Sequence, residues 1–291
     1  MAAVSGGFNC GFMSSALMGG DGFGTGFSGV QTFSPSLLGS DLTLWLDATD
    51  TSTLYTDSTE VTLSANGAFV GRWKDKSGNN RHADKGSVGT ARPVRTDGSI
   101  NSKTGVNFSA GGIPGLFIPY NVSNPTATNI SGGTKFEIWA VYTSVTAGNN
   151  HVFTTYEGSG VNYVVMWTTA GFGTYVAGHH MGWVDSSVIR DSGYASARGP
   201  AVVHRGIIDT TLSSGTTKNI VNNFPGSATS GADTAGGGVS TQTRVWYVGA
   251  DKNGTFQNKA SVGEIIYVKR HLTETEASGM TSYLKNKWGI L

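Results

Sequence analysis

The chain has 291 residues, a net charge of +1, 13% charged residues, 43 glycines and one cysteine. Near-neutral charge, with no basic run denser than Lys269-Arg270, excludes a nucleic-acid footprint, and the lone Cys10 excludes an internal disulfide framework, leaving a reduced thiol or an intermolecular bridge. No apolar run reaches the ~18 residues of a membrane helix, and the first twenty residues lack Lys, Arg and a continuous apolar core, so neither a membrane span nor a signal peptide is expected.

Residues 1–40 differ from the rest, with ten glycines, one charge (Asp21) and five phenylalanines, Phe8, Phe12, Phe23, Phe27 and Phe33. Glycine raises the entropy cost of ordering and phenylalanine supplies anchors. The irregular spacing of the rings suits neither a helical nor a strand face. The expectation is an attachment arm, mobile until its rings find pockets on a neighbouring molecule, with a floppy tail as the plain alternative.

From residue 41 to 291 short apolar runs alternate with Gly, Asn, Asp and Ser, the pattern of an all-β sandwich or barrel. Leu42–Leu46 alternates poorly and reads as covered on both faces. Ala68–Trp73 leads into the turn Asp75–Asn80, where Asp caps its own backbone and Gly and Asn tolerate positive φ. Gly105–Ser109 and Leu116–Pro119 follow, then a polar loop over 121–133. Phe136–Tyr142 is a mid-sheet strand with Phe136, Ile138, Ala140 and Tyr142 on one face and Trp139 and Val141 on the other. The meander continues through His151–Thr155, Tyr163–Thr168, Gly173–Ala177, Ala201–Ile208 and Ile220–Asn223. A long Gly/Ser/Thr loop over 226–243 then precedes a penultimate strand, Arg244–Ala250. About a dozen strands and one helix result, with no solenoid or propeller repeat.

The end of the chain is the most structured stretch. Val262, Ile265, Ile266, Tyr267 and Val268 form a nearly continuous β-branched run, which predicts a central strand buried on both faces. Thr273 with Glu276 forms a capping box, so a helix starts near Glu274. Ala277, Met280, Tyr283, Leu284 and Trp288 fall on its buried side and Thr275, Ser278, Ser282 and Lys285 on the other. Such a helix is marginal alone and needs the sheet beneath it.

Two of these stretches resemble a known family. Leu44-Trp45-Leu46-Asp47-Ala48 with Trp73–Asn79 and His82-Ala83 is similar to the opening of concanavalin A-like, or laminin-G-like, jelly rolls of bacteriophage virion and bacterial surface proteins. Val262–Tyr267, Leu272-Thr273-Glu274, Tyr283-Leu284 and Lys287–Ile290 resemble their closing pattern. The resemblance implies a two-sheet antiparallel jelly-roll sandwich over 41–291, ending in one docked helix and preceded by the arm. It hosts lectins, glycanases and structural domains alike.

Glycanases on this fold carry two carboxylates on one strand as Glu-x-Asp-x-x-Glu. That motif is absent, and Glu137, Glu157 and Glu264 have no acidic neighbour two residues on, so each reads as a structural or surface carboxylate. His179 and His180 read as a polar loop pair, and His204 as a satisfied core or interface histidine. Lectin-like relatives bind calcium through Asp, Asn and loop carbonyls, which nominates Asp75, Asn79 and Asn80 in one turn, or Asp47 and Asp50; no other cofactor is expected. Trp167, Tyr175 and Trp183 are the candidate carbohydrate residues, with core packing as the alternative. The expected function is a non-enzymatic bacteriophage virion component (capsid decoration, head fibre or tail-associated) tethered by the arm. Its expected partners are other virion proteins and copies of itself, as a trimer, with no nucleic acid or membrane. The alternative is a lectin-like adhesin or receptor-binding module engaging host glycans.

Overall fold

The structure is a computed structural model. It describes residues 32–85, 91–109, 115–119, 129–130, 135–143, 150–155, 163–169, 178–185, 188–195, 201–209, 216–222, 242–243, 245–252 and 260–290. The chain divides into two units, Met1–Gln31 and Thr32–Leu291, and all of the described residues belong to the second, which begins ahead of the boundary expected at residue 41. The candidate strand Gly173–Ala177 and most of the loops expected over 121–133 and 226–243 lie outside the described residues.

The second unit is an antiparallel two-sheet sandwich with one helix. The first sheet runs Thr216–Asn222, Ala201–Asp209, Lys135–Thr143, Ser261–Val268, Lys103–Asn107, Val94–Ile100, with Leu42–Asp47 also paired to Ser261–Val268. The second runs Val188–Ala195, Gly178–Asp185, Tyr163–Thr169, Asn150–Thr154, Trp246–Val248, Leu116–Ile118, Ala83–Lys85, Arg72–Trp73, Leu54–Tyr55. Gln242–Thr243 pairs with Asn129–Ile130 in a separate ribbon. The hairpin Gly178–Asp185/Val188–Ala195 and the strand Val94–Ile100 are additions to the sequence expectation.

Ser261–Val268 is the axis of the first sheet. Every residue in it is buried, and it pairs along one edge with Lys135–Thr143 and along the other with Lys103–Asn107 and then Leu42–Asp47. Its alternation carries one irregularity that matters later. Val262 pairs with Tyr142 and Glu264 with Val141, so Gly263 is an extra residue, a bulge. The bulge resets the pleat: Val262, Ile265 and Tyr267 enter the core between the sheets, while Glu264, Ile266 and Val268 turn to the other side.

The strand Lys135–Thr143 separates its faces as the sequence predicts, Phe136, Ile138, Ala140 and Tyr142 inward and Trp139 and Val141 outward. The inner core is ordered by rings: Trp246 stacks on Phe153 at 4.5 Å, and Phe136 on Tyr267 at 5.2 Å.

The outer face is covered by the helix Glu274–Trp288, whose capping box is formed in full, Glu276 N–H donating to Thr273 Oγ1 and Thr273 N–H to Glu276 Oε2. Ala277, Met280, Leu284 and Trp288 are buried against Trp45, Trp139, Val141, Val203, Ile266 and Val268. Two glycines make the close approach possible. A Cβ on Gly263 would run into the Trp288 ring, and one on Gly279 would come 2.7 Å from the ring of Phe33. Phe33, counted with the arm by its sequence, therefore packs on the sandwich itself. The other four arm phenylalanines lie outside the described residues.

Candidate functional site

A dense polar cluster sits under the helix, where Asp47 and Glu264 are cross-strand partners. Alternation puts Asp47 on the same outward face as Trp45, and the Gly263 bulge brings Glu264 to that face. Lys287 Nζ lies 2.8 Å from Asp47 Oδ1 and 2.8 Å from Glu264 Oε2. Glu264 Oε1 also accepts from Trp45 Nε1 (2.7 Å) and Tyr283 Oη (3.0 Å), and Oε2 from Trp288 Nε1 (2.7 Å). On the solvent side Lys76 bridges Asp47 (2.8 Å) and Asp50 (2.9 Å), with its ammonium 4.6 Å from the Trp45 ring centre.

The two carboxyls are driven apart in acidity. Burial pushes Glu264 above the usual carboxylate range, against the pull of Lys287, and the Asp47 charge adds to the rise. Burial opposes ionisation of Asp47 too. There the charge and hydrogen bond of Lys287, with hydrogen bonds from Lys76 and Thr49, outweigh it and hold the carboxyl below its usual value. Unequal neighbouring carboxyls are the raw material of acid–base chemistry. Here both are buried and each Glu264 oxygen already accepts two donors, so in this structure the pair pins the helix to the sheet.

Glu137 has a similar structural task. It is fully buried, accepts two hydrogen bonds from Arg205 (2.9 and 2.7 Å) and one from the Leu272 backbone N–H (2.9 Å), and so anchors the approach to the helix.

The histidine pair is not in a loop. His179 and His180 lie on the strand Gly178–Asp185 and are both buried, because pairing with Tyr163–Thr169 satisfies a backbone that their polarity had suggested was irregular. Tyr142 Oη lies 2.7 Å from His179 Nδ1 and 2.8 Å from His204 Nδ1. One hydroxyl proton serves one ring, so the other ring donates at Nδ1. His204 is thus a satisfied core histidine.

The turn nominated for calcium is held by its own chain. Asp75 Oδ1 accepts from the Trp45 and Ser77 backbone N–H groups (2.9 Å each), and Oδ2 from Ser77 Oγ (2.7 Å) and Arg81 N–H (3.0 Å). Asn79 Nδ2 donates to Leu42 O and Thr43 O, and Asn80 is exposed with φ 55. Among the described residues no three His, Cys, Asp or Glu side chains group as metal ligands. Of the carbohydrate candidates, Trp167 pairs with His180 and Trp183 with Val164 in the second sheet, and Tyr175 lies outside the described residues.

No protein-family model and no curated protein matches this sequence. Solved structures do share the sandwich. Domain 4 of AbnA, a GH43 extracellular arabinanase from Geobacillus stearothermophilus, in complex with arabinotriose, aligns with TM-score 0.53 at 13% identity, covering 82% of this chain and 97% of its own. A GH54 α-L-arabinofuranosidase aligns with TM-score 0.54 at 12% identity over 84% of this chain and 63% of its own, and Trypanosoma rangeli sialidase with 0.50 at 15% over 85% and 33%. The chain thus spans less than two thirds of the second protein and a third of the sialidase.

These likenesses establish the sandwich fold, and they overturn the expectation that the chain is not an enzyme. That expectation rested on a motif missing from single strands, whereas proteins built with this fold include glycoside hydrolases. Two carboxylates can also meet across a ladder, as Asp47 and Glu264 do, a pairing that a search along one strand overlooks.

Proposed function

We propose that this chain is a carbohydrate-engaging sandwich of the concanavalin A-like kind, acting as a lectin-like adhesin or receptor-binding module. The observation that carries this reading is the correspondence with the arabinanase domain solved with arabinotriose, which extends over nearly all of that domain and most of this chain. The other two likenesses, to an arabinofuranosidase and a sialidase, are again to proteins named for sugar chemistry. A glycan array probed with the full chain tests it, with sugar release measured on the same glycans. Saturable, competable binding to a defined glycan class is expected, and an array without a specific signal overturns the reading.

A second reading, a bacteriophage virion component attached through residues 1–31, draws support from Phe33. Its ring sits against the notch cleared by Gly279, the kind of seat that attachment would require of Phe8, Phe12, Phe23 and Phe27 on a neighbouring molecule. Deleting residues 1–31 while keeping Phe33 should leave the melting transition of the sandwich unchanged and abolish incorporation into particles. Undiminished loading of the truncated chain rules this reading out.

A further inference from the structure

We propose that Lys287 and Asp47 join covalently, the lysine amine condensing with the aspartate side chain to an amide that ties the closing helix to the first strand, with Glu264 carrying the proton. Lys287 Nζ lies 2.8 Å from Asp47 Oδ1 and 2.8 Å from Glu264 Oε2, so the amine touches both the carboxyl it attacks and its proton carrier. Both carboxyls are buried, and the amine lies 5.2 Å from the ring centre of Tyr283 and 5.7 Å from that of Trp288. The Trp45 and Trp288 indoles and the Tyr283 hydroxyl all donate to Glu264 and fix its orientation. Lys76 also reaches Asp47, at 2.8 Å, but from the solvent side, where it is shared with Asp50. Its charge at Oδ2 draws electron density from the Asp47 carboxyl carbon, while the Thr49 N–H and hydroxyl hold Oδ1.

The step balances within the chain. The Lys287 ammonium gives a proton to Glu264, the freed amine attacks Asp47 Cγ, and a Nζ–Cγ bond forms as one Cγ–O bond breaks. Two of the three ammonium protons leave with that oxygen as water, relayed through Glu264, which ends as it began; no oxidant, reductant or further reactant is consumed. Burial holds Glu264 above the usual carboxylate range, which suits a group that must keep a proton and then return it. In water, an amine and a carboxyl at ordinary concentrations stay apart as ions. Fixing them in contact supplies an effective concentration of ~10⁵–10⁸ M, which shifts the balance toward the amide. The structure holds the three groups as the ion-paired state from which the bond closes. With a single cysteine the chain has no internal disulfide, and a link from Leu42–Asp47 to Glu274–Trp288 restrains the unfolded chain over most of its length, as a disulfide would.

The bond is independent of any glycan binding. The full chain is held folded at mildly alkaline pH, and samples taken over time are denatured and measured by intact mass spectrometry. The expected change is the loss of one water, about 18 Da, with a branched tryptic peptide that joins Lys287 to Asp47. Lys287→Arg keeps the cation but not the nucleophile, and Glu264→Gln removes the proton carrier. Both, checked as folded by circular dichroism, should retain their full mass. The mass and peptide map of the unsubstituted chain decide the question even where a variant fails to fold. An unsubstituted chain that keeps its full mass throughout, a lost water mapped to Asp47 alone or to Lys287 joined with Glu264, or a folded Glu264→Gln chain that links as fast as the unsubstituted one overturns the proposal.

Discussion

Asp47 and Glu264 face each other across the ladder of the first sheet, and one ammonium, that of Lys287, lies 2.8 Å from both. Two like charges side by side in a buried setting need that cation from the helix, since Lys76 pairs with Asp47 from the solvent side but not with Glu264. Removing it leaves the buried Glu264 carboxyl without its cation. Lys287→Met should therefore cost ~3 kcal/mol in a urea melt, well above the ~1 kcal/mol of an exposed pair. A loss under ~0.5 kcal/mol shows that the pair does not depend on Lys287.

The pair also fixes a pH signature. Glu264 is raised in the fold, so its contribution is fully present below its ordinary pKa of 4.5 and is lost as pH rises through the folded value. Asp47 is lowered, so its contribution is present above 3.8 and is lost as pH falls through its folded value. Without Lys287 the Glu264 carboxyl rises further, and the deficit of Lys287→Met should grow with pH above 4.5. Melts of variant and wild type from about pH 4 to about pH 8 check this. A deficit that shrinks with rising pH contradicts the sign.

Gly263 and Trp288 make a matched contact, and each side is testable. Gly263→Ala drives a methyl into the indole and should cost ~1–3 kcal/mol by overpacking. Trp288→Ala opens a cavity beneath the helix and removes a donor to Glu264, for a loss of ~3–5 kcal/mol. Denaturant melts measure both. A neutral Gly263→Ala means that the helix has room to lift.

Tyr142→Phe should destabilise by ~1–3 kcal/mol, since it withdraws the hydroxyl that both His179 and His204 meet in the core. Burial, with a smaller effect from the His180 charge, lowers the His179 pKa to about 4. Its contribution to stability is therefore present above the ordinary value of 6.5 and is lost as pH falls through about 4. An NMR titration of the imidazole signals should show His179 neutral at pH 6; protonation near 6.5 contradicts its place in the core.

The elements that define the fold were legible because burial on two faces and capping both leave marks in one dimension. Ser261–Val268 is an apolar run, Phe136–Tyr142 sorts by alternate residues, and Thr273 with Glu276 starts the helix. The hairpin Gly178–Ala195 was not legible, since its Gly, His and Ser content resembles a loop and its order comes from pairing with Tyr163–Thr169. The carboxylate pair was hidden for a related reason. Asp47 and Glu264 are distant in sequence, and Glu264 points outward only because Gly263 bulges, which a strict period of two does not foresee. Phe33 read as part of the arm by composition, but the notch at Gly279 is a property of the folded helix.

The carbohydrate reading is tested most directly by isothermal titration of the full chain with arabinotriose and with oligosaccharides selected on the array. The account predicts a saturable one-site isotherm for at least one of them, in the ~1 µM to ~1 mM range, that persists in Lys103→Ala, a change at an exposed lysine. Flat isotherms across the whole panel from a chain that melts cooperatively would contradict it.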